Sequence, residues 1–356
     1  MLEREIGSEF EPVSDAFIGR PTSPPWVHDS EPAYLSAGRQ ALTAVARKLA
    51  ADGWTSLYMP LHHCRTMAVP FERCGMRIEY VDVDESMIMS AGALESTIDR
   101  LGVAPVLHSE TFGARTPPAL EKILNSIEQS GTPVIADETH SILQSRPSSF
   151  TYRIASLRKL LPLPDGAYVF GLDYMQPDRE QGGLSEVVGL RLTAAEQKAA
   201  YLRGDRNDKA FLDIYARAEN ILDEFSDILP MSRQSEVLLA SLDYESLSRR
   251  RESNATYLAA GLDDISSIRI VNREAVTTAP PYLVVSSDRV LELRTHLTAQ
   301  GVYCPIHWPP PKESELRRRW KSPVLSMPID HRYNHRDMQR IIDLIVEFER
   351  GRRVSR

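Results

Sequence analysis

The side chains of this chain best suited to chemistry are a carboxylate, an amine and the charged start of a helix. Asp137 closes PVIAD (133–137), a run that reads as a buried parallel strand. In open α/β sheets ligands collect at the carboxyl ends of strands. A carboxylate there is costly unless paired or solvated, so Asp137 either faces a ligand or caps a helix begun by DETHS. Lys159 lies about one strand and one connection further on, in SFTYRIASLRKLLPLPDGAYV. Two successive strand ends would then present a carboxylate and an amine to one crevice. A lysine amine in such a crevice can have a lowered pKa and condense with a carbonyl. On an exposed loop, Arg158 and Lys159 are ordinary surface charges. LSAGRQAL (35–42) opens a helix with Gly38. Free N–H groups and the helix dipole favour an anion there, Gly38 permits close approach, and Arg39 adds charge. PLHHC (60–64) follows another strand run. Its adjacent histidines could stack on a planar ring or bind a metal, but as metal ligands they lack a third partner at useful spacing, so no metal is expected. His108 and His140 also fall at strand ends. Cys64 beside His63 is a nucleophile without an oriented third member.

Alternating elements must position these groups. SLYMP (56–60), IEYVDV (78–83), PVLHS (105–109), PVIAD, FTYRIAS (150–156) and GAYVFG (166–171) are near-continuous apolar or β-branched runs. Strands covered on both faces have this composition. Between them, 39–52 places Leu42, Val45, Ala46 and Leu49 on one helical face, and 118–131 places Leu120, Ile123, Leu124 and Ile127 on another. The alternation predicts an open, mostly parallel α/β sheet. After about Leu190 the strand signals stop. Two amphipathic helices follow, then one long helical pattern over 235–262, strands at 268–271 and 282–287, and helices over 291–301 and 337–351. The expected organisation is an N-terminal arm over 1–30, a large domain over 31–234, and an interdomain helix with a smaller α+β domain over 235–356.

Composition narrows the classes. The chain has 356 residues, 42% hydrophobic and 26% charged, enough apolar material to bury a core. Lys+Arg is 42 against Asp+Glu 49, a net charge of -7, which gives no global electrostatic case for nucleic acid. Three cysteines form neither a disulfide framework nor a zinc spacing, so a reducing, cytoplasmic setting is expected. The start MLEREIGSEF lacks an apolar signal core, and no run approaches the ~20 apolar residues of a membrane span.

In this order the motifs resemble the DegT/StrS sugar aminotransferases, pyridoxal-phosphate enzymes of the aspartate aminotransferase fold (fold type I). The likeness covers roughly residues 31–350. It rests on SAGRQAL (36–42), MPLHHCRTMAVPFERCGMRIEYVDVD (59–84), HSETFG (108–113), TPVIADETH (132–140), ASLRK (155–159), PDGAYV (164–169), MSRQSEVLLASLD with RRRESNATYL, and VLSMPIDHRYNHRDMQRIIDLI. The resemblance implies that Lys159 carries pyridoxal 5'-phosphate and serves as the proton-transferring base. It implies that Asp137 pairs with the pyridine nitrogen, that Ser156, Arg158 and the Gly38–Arg39–Gln40 turn hold the phosphate, and that His140 hydrogen-bonds near the ring oxygen. Strict counting puts Cys64 over the ring; a one-residue shift puts His63 there, and imidazole is planar. The family's Ser-Gly-Thr turn is here Ala37-Gly38-Arg39. The asparagine that members lend to a neighbouring subunit's phosphate falls at Met231, and the run after the lysine is LLPLPDG. The implied function is transfer of an amino group from an amino-acid donor to a keto-sugar or similar specialised metabolite, by a homodimer. HWPPP (307–311) and the arm with Trp26 are candidate substrate walls, with ordinary packing as the rival reading. Other pyridoxal-phosphate chemistry (dehydration or lysis) and a catalytically silent binding protein are the alternatives.

Overall fold

The doubly covered apolar runs assemble into one sheet. In the computed structural model, residues 4–28, 30–144, 146, 148–172, 183–225 and 227–354 are described. After β1 (Ile6–Gly7) in the arm come β2 (Ala33–Leu35), β3 (Ser56–Pro60), β4 (Arg77–Val81), β5 (Val106–Ser109), β6 (Val134–Asp137), β7 (Tyr152–Ser156) and β8 (Ala167–Phe170). The last seven form a sheet of order β2-β8-β7-β6-β5-β3-β4. β4, β3, β5, β6 and β7 run parallel, while β8 and β2 join antiparallel at one edge. The sheet is mostly parallel, as the alternating pattern predicts.

Helices α1 (Gly38–Ala51), α2 (Arg65–Arg73), α3 (Ala91–Leu101) and α4 (Pro118–Gln129) cover it. α1 buries Leu42, Val45, Ala46 and Leu49 against Leu57, Met59 and Ile154. α4 buries Leu120, Leu124 and Ile127. Each large aliphatic side chain so buried contributes roughly 1.5–3 kcal/mol. α2 and α3 lie outside the helical patterns read from the sequence; α2 is only nine residues long and contains Pro70.

Two long helices follow, α5 (Gly183–Arg203) and α6 (Phe211–Glu224), packed together through Ala194, Phe211 and Tyr215. The single helix expected over 235–262 is instead two, α7 (Arg233–Ser241) and α8 (Tyr244–Leu262). Asp243 ends the first and caps the second, its carboxylate accepting from Ser246 N at 2.9 Å. The arm enters at this break: Asp243 N donates to Phe17 O at 3.0 Å, and Leu242 bridges Ile18.

The remainder holds β9 (Arg269–Ile270), β10 (Leu283–Ser286), α9 (Val290–Ala299), β11 (Val302–Tyr303), α10 (Ser314–Arg319), β12 (Leu325–Met327) and α11 (His335–Val354). β10 is central and antiparallel to β9 and β12. Its core joins α8, α9 and α11 through Leu258, Leu262, Leu293, Leu297, Ile341 and Ile345, with Ile6 of the arm among them. β1 pairs in parallel with β11, so the arm is stitched to this unit. Trp26 is buried, stacked on Tyr168 at 5.5 Å and edge-on to Tyr244 at 5.4 Å. Among the described residues no helix is long and apolar enough to cross a membrane.

Candidate active site

β6 and β7 are parallel neighbours, so their carboxyl ends emerge side by side. β6 ends at Asp137. β7 ends at Ser156, after which one 3-10 turn (Leu157–Lys159) lifts the chain off the sheet. Leu157 anchors that turn: it is buried, and its N–H donates to Gly166 O at 3.0 Å. Thr139 ties the two strand ends together. Its backbone N–H donates to Asp137 Oδ1 at 3.0 Å, and its hydroxyl oxygen accepts from Ser156 N at 3.0 Å. Asp137 is buried, and burial raises its carboxyl pKa. The hydrogen bonds from Thr139 and the charge of Lys159 pull it back only in part. A buried carboxylate in this state gains from a further cationic donor.

Lys159 lines a cavity of about 750 Å³ together with Arg158 and His140. His140 is held as a neutral imidazole. Phe112 N donates to its Nδ1 at 3.0 Å, which leaves the proton on Nε2. Burial, with His307 and Lys159 nearby, pushes its pKa well below the usual range. Its ring stacks on Phe112 at 5.6 Å and lies 4° from parallel with Trp308 at 5.9 Å. His307 and Trp308 also line the cavity. His307 Nδ1 is 2.7 Å from Ser326 Oγ, and burial pushes its pKa down to about 3.

The start of α1 lies against the end of β7 rather than in this cavity, and Arg39 and Gln40 line a separate one. Ser36 O accepts from Gly166 N at 2.8 Å. Gln40 is buried and spent on this turn, its Oε1 accepting from Ser36 Oγ and, at 3.1 Å, from Leu229 N. Its Nε2 is buried without a partner. Gly38 abuts Ser156: a methyl at Gly38 would stand 2.9 Å from the Ser156 Cβ. Arg39 and Arg158 both reach Glu219 of α6, at 2.8 and 2.9 Å.

His63 is not brought to this cavity. Its Nδ1 donates to the carbonyls of Leu61 at 2.7 Å and Pro60 at 3.1 Å, which turns the ring back onto Tyr80, stacked at 4.8 Å. Cys64 is the N-cap residue of α2. Trp26 packs beneath the sheet edge, and the arm instead reaches the cavity through residues 5 and 7–10. Several cavity residues carry no local signal in the sequence. Arg191, Tyr215 and Glu219 lie on the α5–α6 pair, far along the chain from Lys159. Arg251 of α8 is fully buried and joins the two halves of the site, donating to Leu160 O at 2.9 Å and Pro281 O at 3.0 Å.

Solved structures share this fold. A DegT/DnrJ/EryC1/StrS aminotransferase from Brucella abortus superposes with a TM-score of 0.62 at 17% identity, over 90% of this chain and 86% of its own. The fold is that of the DegT/StrS aminotransferases. A candidate sugar aminotransferase from Streptococcus pneumoniae, Spr1654, in its PLP form, gives 0.64 at 13% identity, over 95% and 97%. Helicobacter pylori PseC, an aminotransferase of pseudoaminic acid biosynthesis, gives 0.61 at 11% identity, over 89% and 86%. No family model matches the sequence, and no curated protein does. The likeness to DegT/StrS proteins is therefore one of tertiary structure.

Proposed function

We propose that the protein is a pyridoxal-phosphate-dependent aminotransferase that moves an amino group from an amino-acid donor to a keto-sugar or similar metabolite. The observation that carries this reading is Asp137 and Lys159 at neighbouring strand ends, with Lys159 lining a cavity, in the fold of sugar aminotransferases. The residues present suit the group. Asp137 is buried with a raised pKa, and a cationic ring nitrogen would offset that cost. Arg39 at the start of α1 and Arg158 share the carboxylate of Glu219, and Arg158 Nε and Arg191 Nε are buried without partners. Pyridoxal phosphate, when bound, supplies the electron sink that acidifies an amino acid's α-proton.

Lys159 would hold the cofactor through Nζ. The same amine, when free, would be the base that takes the donor's α-proton and returns it. Asp137 would keep the ring nitrogen protonated. His140 would donate from Nε2 to the ring oxygen, because its Nδ1 already accepts from Phe112. Ser156 Oγ, Arg158 and the N-terminus of α1 at Gly38 and Arg39 would take the phosphate; Gln40 would support them by closing the turn. Trp308 and His307 would wall the acceptor, and their neighbours Phe112 and Tyr282 would help exclude water. The same reading carries a cofactor-holding domain over 31–234, a closing domain over 235–356, a homodimer and a cytoplasmic setting.

The test is an absorbance spectrum of purified protein before and after borohydride, with the reduced adduct mapped by mass. The expected adduct lies on Lys159 and is absent from Lys159→Ala. With an amino donor alone, the visible band should be lost and keto-acid release should stop at one equivalent. Continuous keto-acid or carbon dioxide release would reject transamination, and an adduct on another residue would reject the site.

A further inference from the structure

We infer that Arg39, Arg158 and Arg191 form the seat of the cofactor's phosphate, and that Glu219 holds this seat as an internal anion until phosphate displaces it. The inference rests on the pyridoxal-phosphate reading above.

Three guanidinium groups from three elements converge on one carboxylate. Arg39 Nη2 donates to Glu219 Oε1 at 2.8 Å. Arg158 Nη2 donates to both Glu219 oxygens, at 2.9 and 3.0 Å. Arg191 Nη2 donates to Glu219 Oε2. Asp223, one turn further along α6, pairs with the other terminal nitrogen of Arg39.

Donors exceed acceptors in this cluster. A guanidinium offers about five N–H donors and a carboxylate about four lone-pair sites. Arg158 Nε and Arg191 Nε are buried with no partner. Such orphaned donors are costly. A phosphate monoester, with three terminal oxygens and a larger charge, satisfies more of them than one carboxylate does.

The cluster is also in the right place. Arg39 is the second residue of α1, whose first turn no side chain caps. Arg158 adjoins Lys159, and Arg158, Arg191 and Glu219 line the cavity that Lys159 lines. Arg39 itself lines a separate cavity and is joined to these residues through Glu219.

Exposure separates the fixed members from the replaceable one. The side chains of Arg191, Arg158 and Arg39 are 6%, 15% and 20% exposed, against 35% for Glu219. The arginines are held by their surroundings, whereas the carboxylate can swing to water. Burial alone would raise the Glu219 carboxyl, but Arg158, Arg191 and Arg39 outweigh it and hold the pKa below the usual range. Glu219 is therefore an ionised competitor at neutral pH.

Calorimetric titration of the full-length chain with inorganic phosphate, no cofactor added, tests the seat. Glu219→Gln should bind phosphate about tenfold more tightly than the unaltered chain, the effect of removing one close like charge. Asp213→Asn, the same charge change at an exposed position of α6, should leave the constant unchanged. Equal binding by Glu219→Gln and the unaltered chain, or binding by neither, overturns the inference. If Glu219→Gln fails to fold, Arg39→Gln carries the test: phosphate affinity should fall about tenfold, and an unchanged constant overturns the seat. Loading with pyridoxal phosphate should abolish binding of inorganic phosphate; undiminished binding overturns the assignment to the cofactor. A missing adduct at Lys159 would reject the transaminase reading and leave the seat standing, while a flat Glu219→Gln result would reject the seat alone.

Discussion

Gly38 and Ser156 meet so closely that the first turn of α1 rests on the end of β7 with no room for a methyl group. The contact fixes the distance between the helix start and the turn that bears Lys159. It also explains a glycine at a helix position where alanine is intrinsically better.

Gly38→Ala should therefore destabilise the protein despite its gain in helix propensity. A Cβ 2.9 Å from another Cβ forces a backbone shift, and overpacking of this kind costs about 1–3 kcal/mol. Urea unfolding should show a lower midpoint at unchanged slope. Adding Ser156→Gly should restore most of the loss, because it removes the atom that clashes. A double variant no more stable than Gly38→Ala would mean that the contact is not the cause.

Arg251 should matter for the site as well as for stability. Its two terminal nitrogens satisfy carbonyls of Leu160 and Pro281. Lysine keeps the charge but cannot reach both with one ammonium. One buried carbonyl is then left unpaired, at about 1–3 kcal/mol. Arg251→Lys should lower the urea midpoint and weaken cofactor retention, since Leu160 directly follows Lys159. Measured retention equal to that of the unaltered chain would confine Arg251 to a structural role.

Lys198 gives a pH dependence of definite sign. It is buried under the arm, donating to Gly7 O at 3.4 Å and pairing with Glu11 at 3.3 Å. Burial first, then the charge of Arg332, pushes its pKa down to about 8, with Glu11 opposing; an unfolded lysine titrates near about 10.4. On raising the pH the folded state releases its proton first. The unfolded state then binds more protons, so stability rises between about pH 8 and pH 10.4. The size of the rise is about 3 kcal/mol. Below pH 8 this group contributes no slope. Lys198→Met should flatten the rise relative to the unaltered chain, while Glu11 keeps Arg4 at 2.8 Å and Arg332 at 3.1 Å. Parallel stability curves from pH 8 to 10 would rule out a depressed lysine.

The parallel sheet was legible because strands covered on both faces are apolar along their whole length. SLYMP coincides with β3, and PVIAD and FTYRIAS differ from β6 and β7 by one or two residues at their starts. The α7–α8 break was not legible. Periodicity continues across it, and what ends the helix is a capping carboxylate together with Phe17 from the arm. The family resemblance with a one-residue shift puts His63 over the cofactor ring, but position along the chain does not fix where a ring turns. Two backbone carbonyls made that choice.

The amino-acid sequence by itself determined the succession of strands in the large sheet, and with it the placing of Asp137 and Lys159 at successive strand ends. Local pattern suffices for this, because neighbouring parallel strands end on the same side of a sheet. Only the tertiary structure decided what surrounds that pair: Arg191 and Glu219 from the α5–α6 helices, Arg251 from α8, and the arm stitched to β11. Those contacts join residues far apart in the chain, and burial and charge select them only once the helices have packed.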